Sequence, residues 1–596
     1  MLLFSTLYFS STTTANGLDP LKNFCRRWYH QSQVKNNILF IDGGIESFSD
    51  HSGLVIVNSA NLCKDNYVIA INMSASWDWK TNISEVVINK TTDAETGNPP
   101  PDVQSGTIFQ GSLSDPQIYL YGGVTPSINQ SFPGWQWPTT NQYTLWGFHT
   151  ISHAWTQYDI FSNVPQRPSQ GASTEAPDLG LAFYMNGMIT NWSSLTTSYL
   201  GNNTEFLEGM VVIDLNNQTA TNRSTDTVTN GNPRVRGGII YVPKLGPNGI
   251  LVTVGGATQS SGTLVMGKLC SVPTNQVNIF DISTITGTTN DTTEGWYTQS
   301  ITGTAPDPRV DFCLVLASAP DGSSHNIYMY GGWDPTQSNK YFDEVWVLSL
   351  PSFTWVQIYS GSSPRFGHTC HTVGNRQMIT IGGLDNIKAT DYCDWEYMSV
   401  GIYDMTEGTV NGWGSVFSAD KAPYQVNNQV SAAIGGGPDG NATKLLPDGG
   451  WSTTLVANLF TGTNNQTQPV NIGNTTLLPS AKSKNTKTAA IIGGTIGGVG
   501  GIVVLALLSW LCVRHYPAFF KKSEAGGQEQ LEKERADMLG KSELDSKRLS
   551  EAIKPGELPP GIHRVMTEVS GTTARSELAA NRFVVEMGAP EVHELG

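Results

Sequence analysis

The sequence predicts an all-β fold assembled from copies of one antiparallel unit. Three observations carry the prediction. A short run of β-branched and aromatic residues stops, again and again, at a pair of glycines. A second apolar run follows each copy, and a tryptophan usually comes next. Alternating apolar stretches punctuated by glycine and proline read as short strands joined by turns.

The clearest copy is Ile327-Tyr328-Met329-Tyr330 ahead of Gly331-Gly332. A glycine pair at a strand end fits a backbone that needs positive φ or close approach to a neighbour. In chain order, other copies run at 39–42 before Gly43-Gly44, 119–121 before Gly122-Gly123, 251–254 before Gly255-Gly256 and 378–381 before Gly382-Gly383. Residues 183–185 precede Asn186-Gly187, a worn copy that stays physically mild because Asn tolerates left-handed backbone. The partner runs are 67–72, 143–148, 210–215, 277–281, 345–350 and 401–405. The tryptophans are Trp77, Trp155, Trp296, Trp355 and Trp413, and Pro-Arg precedes several pairs at Arg234, Arg309 and Arg365. Copies recur every 50 to 80 residues or so, at or above the roughly 50 residues of one known β-repeat class.

This pattern resembles the kelch repeat, most closely over 309–355 and 365–413, and the resemblance covers about 25–415. It implies a kelch-type β-propeller of six blades, or seven if 426–434 adds a closing strand. A single blade cannot bury both faces, whereas a closed ring of blades can, with Tyr and Trp packed between neighbours. The opening, Asp19-Pro20-Leu21-Lys22 and Phe24-Cys25-Arg26-Arg27-Trp28 through Asp42-Gly43-Gly44, together with the features beyond 480, also resembles fungal single-pass kelch-repeat membrane proteins. That resemblance implies a surface protein at the plasma membrane.

Composition narrows the partners. Charged residues make up 14% of the 596-residue chain and the formal net charge is −15, so no basic patch exists to neutralise phosphates and nucleic acid is excluded as a partner. Cys25, Cys63, Cys270, Cys313, Cys370 and Cys393 form an even set ahead of residue 480, and Cys512 stands apart. Six cysteines allow 15 disulfide connectivities, with pairing of sequence neighbours the working expectation. No CxxC spacing suggests zinc.

The organisation along the chain reads as follows. Residues 1–17 form a short signal-like segment without a basic start. Residues 18–455 are the propeller, 456–487 an Asn/Thr/Ser-rich glycosylated stalk, and 514–596 a charged, mostly disordered cytoplasmic tail with a helical stretch at 528–554. Residues 488–513 carry no charge over 26 positions, enough to cross a bilayer core of about 30 Å. Gly493, Gly497 and Gly501 give this span a face of small residues on which two helices can approach. Sequons begin at Asn72, Asn82, Asn89, Asn129, Asn191, Asn202, Asn217, Asn222, Asn290, Asn441, Asn465 and Asn474, and none follows residue 488. Their one-sidedness places the N-terminal part in the secretory lumen. The expectation is a type I plasma-membrane protein. Its partners are the membrane, an extracellular protein or glycan, and cytoplasmic proteins recruited by the tail.

Catalytic chemistry is harder to find. The enzyme alternative is a membrane-anchored carbohydrate oxidase like galactose oxidase, which needs a Tyr-His pair, a second His, a second Tyr and a Tyr-linked Cys. Tyr29-His30 is an adjacent pair, but Arg27-Trp28-Tyr29-His30 aligns with Arg365-Phe366-Gly367-His368. His30 therefore reads as a repeat position rather than a copper ligand. His368 and His371 point to opposite faces of a strand. Gly435-Gly436-Gly437-Pro438-Asp439-Gly440 matches GxGxxG, but a turn follows it, so it reads as a loop. Asp281, Asp343, Glu344 and Asp404 read as turn and edge residues. The expectation is a non-catalytic binding module with no cofactor and no metal. Its insertions gather on one face, where Trp135, Trp137 and Tyr143 offer flat surfaces to a sugar ring.

Overall fold

The computed structural model describes residues 19–461 except 50–54, 57–66, 126–143, 161–166, 202, 260–268, 288–293, 338, 375, 387–391 and 409–411. Six four-stranded antiparallel sheets dominate, each formed by strands consecutive in the chain apart from short insertions. Blade 1 is Gln31–Lys35, Ile38–Asp42, Tyr67–Asn72 and Glu85–Asn89. Blade 2 is Gln104–Phe109, Gln117–Val124, Thr144–His149 and Trp155–Asp159. Blade 3 is Ala172–Ala176, Leu181–Met185, Met210–Asp214 and Thr219–Arg223. Blade 4 is Gly238–Val242, Ile250–Val254, Gln276–Asp281 and Trp296–Ser300. Blade 5 is Cys313–Ser318, His325–Tyr330, Glu344–Leu350 and Thr354–Ser360. Blade 6 is Thr369–Val373, Gln377–Ile381, Val400–Asp404 and Trp413–Gly414.

Each sheet is open, and the circle comes from side-by-side contact. The first strand of every blade touches the first strands of the blades before and after it, and blade 6 touches blade 1. This is the arrangement of a β-propeller. Every run that ends in a glycine pair is the second strand of a blade, and each partner run is the third. These strands are buried on both faces: Ile327, Tyr328 and Met329 are all 0% exposed. Gly331 and Gly332 sit at φ 71° and 93°, and in blade 3 Asn186 takes the same left-handed position at φ 53°. The pair is forced, because a Cβ on Gly331 would meet the Arg365 carbonyl oxygen of the next blade at 2.2 Å.

Among the described residues, no strand is exchanged to close the ring. The seam between blades 6 and 1 is instead stitched from both chain ends. Phe24–Trp28 pairs with Ile45–Ser49, and Cys25 forms a disulfide with Cys393 in the long loop of blade 6. Val416–Phe417, just past blade 6, pairs with Trp77–Asp78 of blade 1. Trp77 thus packs on Phe417 across the seam, whereas the other four expected tryptophans lie in fourth strands.

Two expectations are corrected. Residues 426–434 add no strand: Asn428–Ile434 is a helix. Val430 and Ile434 lie four residues apart and are buried together, and the Asn427 side chain accepts from the Gln429 N–H as an N-cap. The chain then crosses the ends of blades 5 and 4, and helix Thr454–Thr461 buries Val456, Leu459 and Phe460 beside Phe353. The folded part therefore runs past 455, into the first residues assigned to the stalk. Disulfide pairing follows the neighbour rule in one bond and departs from it in the other: Cys313 pairs with the next cysteine, Cys370, but Cys25 reaches Cys393, and Cys270 is free. Pairing of neighbours fails for Cys25 because its strand lies at the seam, beside the last blade rather than the second. Among the described residues, no helix is long and apolar enough to cross a membrane. Residues 1–17, 488–513 and 514–596 lie outside the described residues.

Candidate functional site

Antiparallel geometry places the start of each first strand at the same end as the glycine pairs. At the start of its first strand each blade has a left-handed residue: Tyr29, Ser105, Gln170, Arg236, Asp311 and Gly367, with φ between 53° and 65°. Their main chains form a closed collar. Ser105 N–H donates to Tyr29, Gln170 to Ser105, Arg236 to Gln170, Asp311 to Arg236, Gly367 to Asp311 and Tyr29 to Gly367, each to the carbonyl and all within 2.7–3.1 Å. The last bond returns to the first residue, so the ring has six members and is complete.

The collar side chains close the mouth. Arg236 and Tyr29 come from opposite blades, so their contact of 3.4 Å crosses the channel axis. Arg236 also pairs with Asp311 at 2.9 Å and donates through Nε to the Gln170 side chain at 2.7 Å. Asp311 accepts from the Trp333 indole at 2.8 Å. Burial, and then the Asp311 charge, push the Tyr29 hydroxyl above its usual range, so it stays protonated.

Behind this floor lies a cavity of about 430 Å³, lined by the first strands of all six blades. Blades 6, 1, 2 and 3 give it a polar wall. His30 Nε2 contacts Thr369 Oγ1 at 2.9 Å, Thr369 contacts Ser32 Oγ at 2.5 Å, and Ser32 contacts His371 Nε2 at 2.8 Å. Thr107 and Ser173 share a hydroxyl bond of 2.8 Å. Burial pulls His371 down to about 4 and His30 well below its usual value, so both imidazoles are neutral at neutral pH. At the far end, Glu175 accepts from Gln33 Nε2 and from Gln110 N–H, both at 2.7 Å. Burial pushes its carboxyl up to about 8 against those backbone bonds and Lys35. Blades 4 and 5 give an apolar wall of Ile240, Phe312 and Leu314.

The residues singled out from sequence fall in several places. Trp135, Trp137 and Tyr143 lie outside the described residues. Of the sequon asparagines, Asn72, Asn82, Asn89, Asn217, Asn222 and Asn441 are exposed and Asn191 is half-buried, while Asn129, Asn202, Asn290, Asn465 and Asn474 lie outside the described residues. His30 occupies the repeat position shared with His368, but it bonds across the seam rather than within its own blade. His368 packs against Tyr330. Among the described residues, no group of three or more His, Cys, Asp or Glu could hold a metal. Gly435–Gly440 forms a turn bridged from Gly437 to Gly440. The acidic residues hold the frame: Glu344 pairs with Arg309 at 2.7 Å, Asp404 with Arg376 at 2.9 Å, and Asp343 accepts from the Tyr359 hydroxyl and Ser363 N–H.

Sequence reasoning missed the collar, although a signal was present. In four blades the collar residue stands two after an arginine: Arg27/Tyr29, Arg234/Arg236, Arg309/Asp311 and Arg365/Gly367. Arg309 and Arg365 are buried and donate to the first glycine carbonyl of their own blade's pair. The Pro-Arg motif thus fixes the turn that sets the collar.

With this geometry established, comparison with known proteins gives one informative relative. No family model matches the chain. A curated protein of Arthroderma benhamiae (strain ATCC MYA-4681 / CBS 112371), described as "Kelch repeat-containing protein", is 26% identical over 569 residues, covering 85% of this chain and 77% of the relative. The chain is similar to a kelch repeat-containing protein over most of its length. Among solved structures, YjhT aligns with a TM-score of 0.40 at 11% identity, covering 65% of this chain and 97% of that one.

Proposed function

We propose that the chain is a kelch-type propeller acting as a non-catalytic binding module at the cell surface, a receptor or adhesion scaffold tied to a cytoplasmic tail. The observation that carries this reading is the asymmetry of the two faces. Connections between second and third strands all leave at the collar end, and there they build extra ladders such as Met188–Thr190 with Thr204–Phe206 and Arg234–Val235 with Ala257–Gln259 and Leu269–Ser271. Such elaborated loops on a rigid scaffold are where propeller-like repeats carry partner contacts. The sequons ahead of residue 488 and the uncharged span support an extracellular position.

The test uses the full chain in intact cells. N-glycosidase added outside increases its gel mobility, and a tail epitope stains only after permeabilisation. A glycan-free chain, or a tail stained on unbroken cells, rejects the surface reading. Copper and a primary-alcohol sugar added to the purified chain produce no peroxide if the module is non-catalytic, and sustained peroxide production rejects that part.

A further inference from the structure

The channel itself is unused by a module that meets partners through its loops. We propose that it is a blind pocket for a neutral, hydroxyl-rich small molecule of monosaccharide size, entered from the face opposite the insertions.

The shape comes first. A volume of about 430 Å³ falls within the roughly 300–1,000 Å³ of small-molecule sites. The Tyr29–Arg236 contact bars the collar end, so a ligand must come from the other side.

The lining is split by polarity. On the polar wall, hydroxyls meet in pairs: Thr107 with Ser173 and Ser32 with Thr369. A hydroxyl has one donor and two acceptor sites, so a pair uses one O–H and leaves acceptor lone pairs for a ligand. In the Thr107–Ser173 pair the second O–H is also left for a ligand. Facing them are Ile240, Phe312 and Leu314. Gly238 makes room for that wall, since a Cβ there would meet Leu314 Cδ1 at 2.5 Å and Phe312 Cε2 at 2.8 Å. A pyranose presents the same division, hydroxyls at its rim and a C–H face between them.

The cations near the pocket already have N–H groups engaged. Arg236 is tied to Asp311, and at the rim Lys35 Nζ donates to the carbonyls of Gln110, Ser112 and Gln117. A ligand carboxylate would be buried with no free cation among the described residues to pair it, which disfavours its charged form. The pocket therefore selects against anions.

The test is saturation-transfer NMR and calorimetry on the purified full chain in a sugar-free detergent. The probes are glucose, galactose, mannose, N-acetylglucosamine and glucuronate. At least one neutral sugar binds saturably, and glucuronate binds at least tenfold more weakly than that sugar. Thr107→Trp, which fills the polar wall, abolishes binding. Should that variant lose its melting transition, Ser32→Ala/Ser173→Ala removes hydroxyls at nearly constant shape and weakens binding about tenfold. Absence of saturable binding by any neutral sugar overturns the proposal. So does equal binding of glucuronate, or binding that survives these substitutions in a folded chain. The result is independent of the membrane reading, which the cell-surface experiment decides separately.

Discussion

Breaking the Cys25–Cys393 link measures how the ring is closed. The two cysteines lie 368 residues apart, whereas Cys313 and Cys370 lie 57 apart. In the chain-entropy picture, a cross-link lowers the entropy of the unfolded chain by about 2.1 + 1.5R ln n cal/mol/K. At 25 °C that gives roughly 6 kcal/mol for the long loop and roughly 4 kcal/mol for the short one. The short loop is nested inside the long one, and keeping it intact changes the outer figure by only about 0.2 kcal/mol. Measured disulfides often deliver less, so the difference between the two is the safer quantity. Cys25→Ser/Cys393→Ser should therefore destabilise the protein more than Cys313→Ser/Cys370→Ser, by about 1–2 kcal/mol. Both variants keep the native contacts of the seam, including the Trp77–Phe417 pairing. Urea unfolding of the purified full chain, followed by tryptophan fluorescence, reads the shift in midpoint. A seam variant that costs no more than the inner one would refute the reasoning. So would a non-reducing peptide map in which Cys25 is not joined to Cys393.

The remaining predictions concern charge inside the ring. His371 is neutral in the folded state, with its pKa pulled to about 4 against an unfolded value near 6.5. Its contribution to stability is lost as pH falls through that interval, so His371→Gln should gain on wild type by up to about 1.4 kcal/mol per pH unit between pH 6.5 and 4. Glu175 runs the other way. Its folded pKa is raised to about 8, so its contribution is lost as pH rises towards 8, and Glu175→Gln should gain on wild type between pH 4.5 and 8. Denaturation midpoints across pH check both slopes, and parallel wild-type and variant curves would count against them. Arg365 pairs with Asp394 at 2.8 Å and Glu396 at 2.9 Å, both carboxylates being buried. Arg365→Met should cost about 3–5 kcal/mol by stranding them, and adding Asp394→Asn/Glu396→Gln should recover much of that in the same denaturation assay.

How much of this was legible follows from what each residue repeats. The second and third strands were readable because they are buried on both faces, so Ile327–Tyr330 and residues 345–348 show as unbroken apolar runs. First strands line the channel, and in blades 1, 2 and 6 Ser32, Thr107 and Thr369 break any apolar run, so that part of the cavity wall was invisible. The helix at Asn428–Ile434 was misread as a strand because Val430 and Ile434 fit either period over so short a run. Cys25–Cys393 could not be seen because closure joins positions that share no local pattern. The long insertion that holds Trp135 and Trp137 follows no repeat and so gave composition without geometry.

The collar shows why a repeat can make a site that its own periodicity hides. All six blades deliver the same left-handed turn and the same N–H to carbonyl bond, so backbone symmetry alone draws the mouth shut. A side chain at that turn escapes the repeat's packing rules, because it projects over the axis rather than into a blade. Tyr, Ser, Gln, Arg, Asp and Gly occupy the six places in turn, and that sequence is chemically lopsided. Arg236 finds Asp311 beside it and Tyr29 across from it only because blades 4, 5 and 1 hold those positions. Exchanging the ion pair as Arg236→Asp/Asp311→Arg would keep net charge yet move the cation away from Gln170. The backbone collar would survive the exchange, and the crossing contact with Tyr29 would have to be rebuilt from the neighbouring blade.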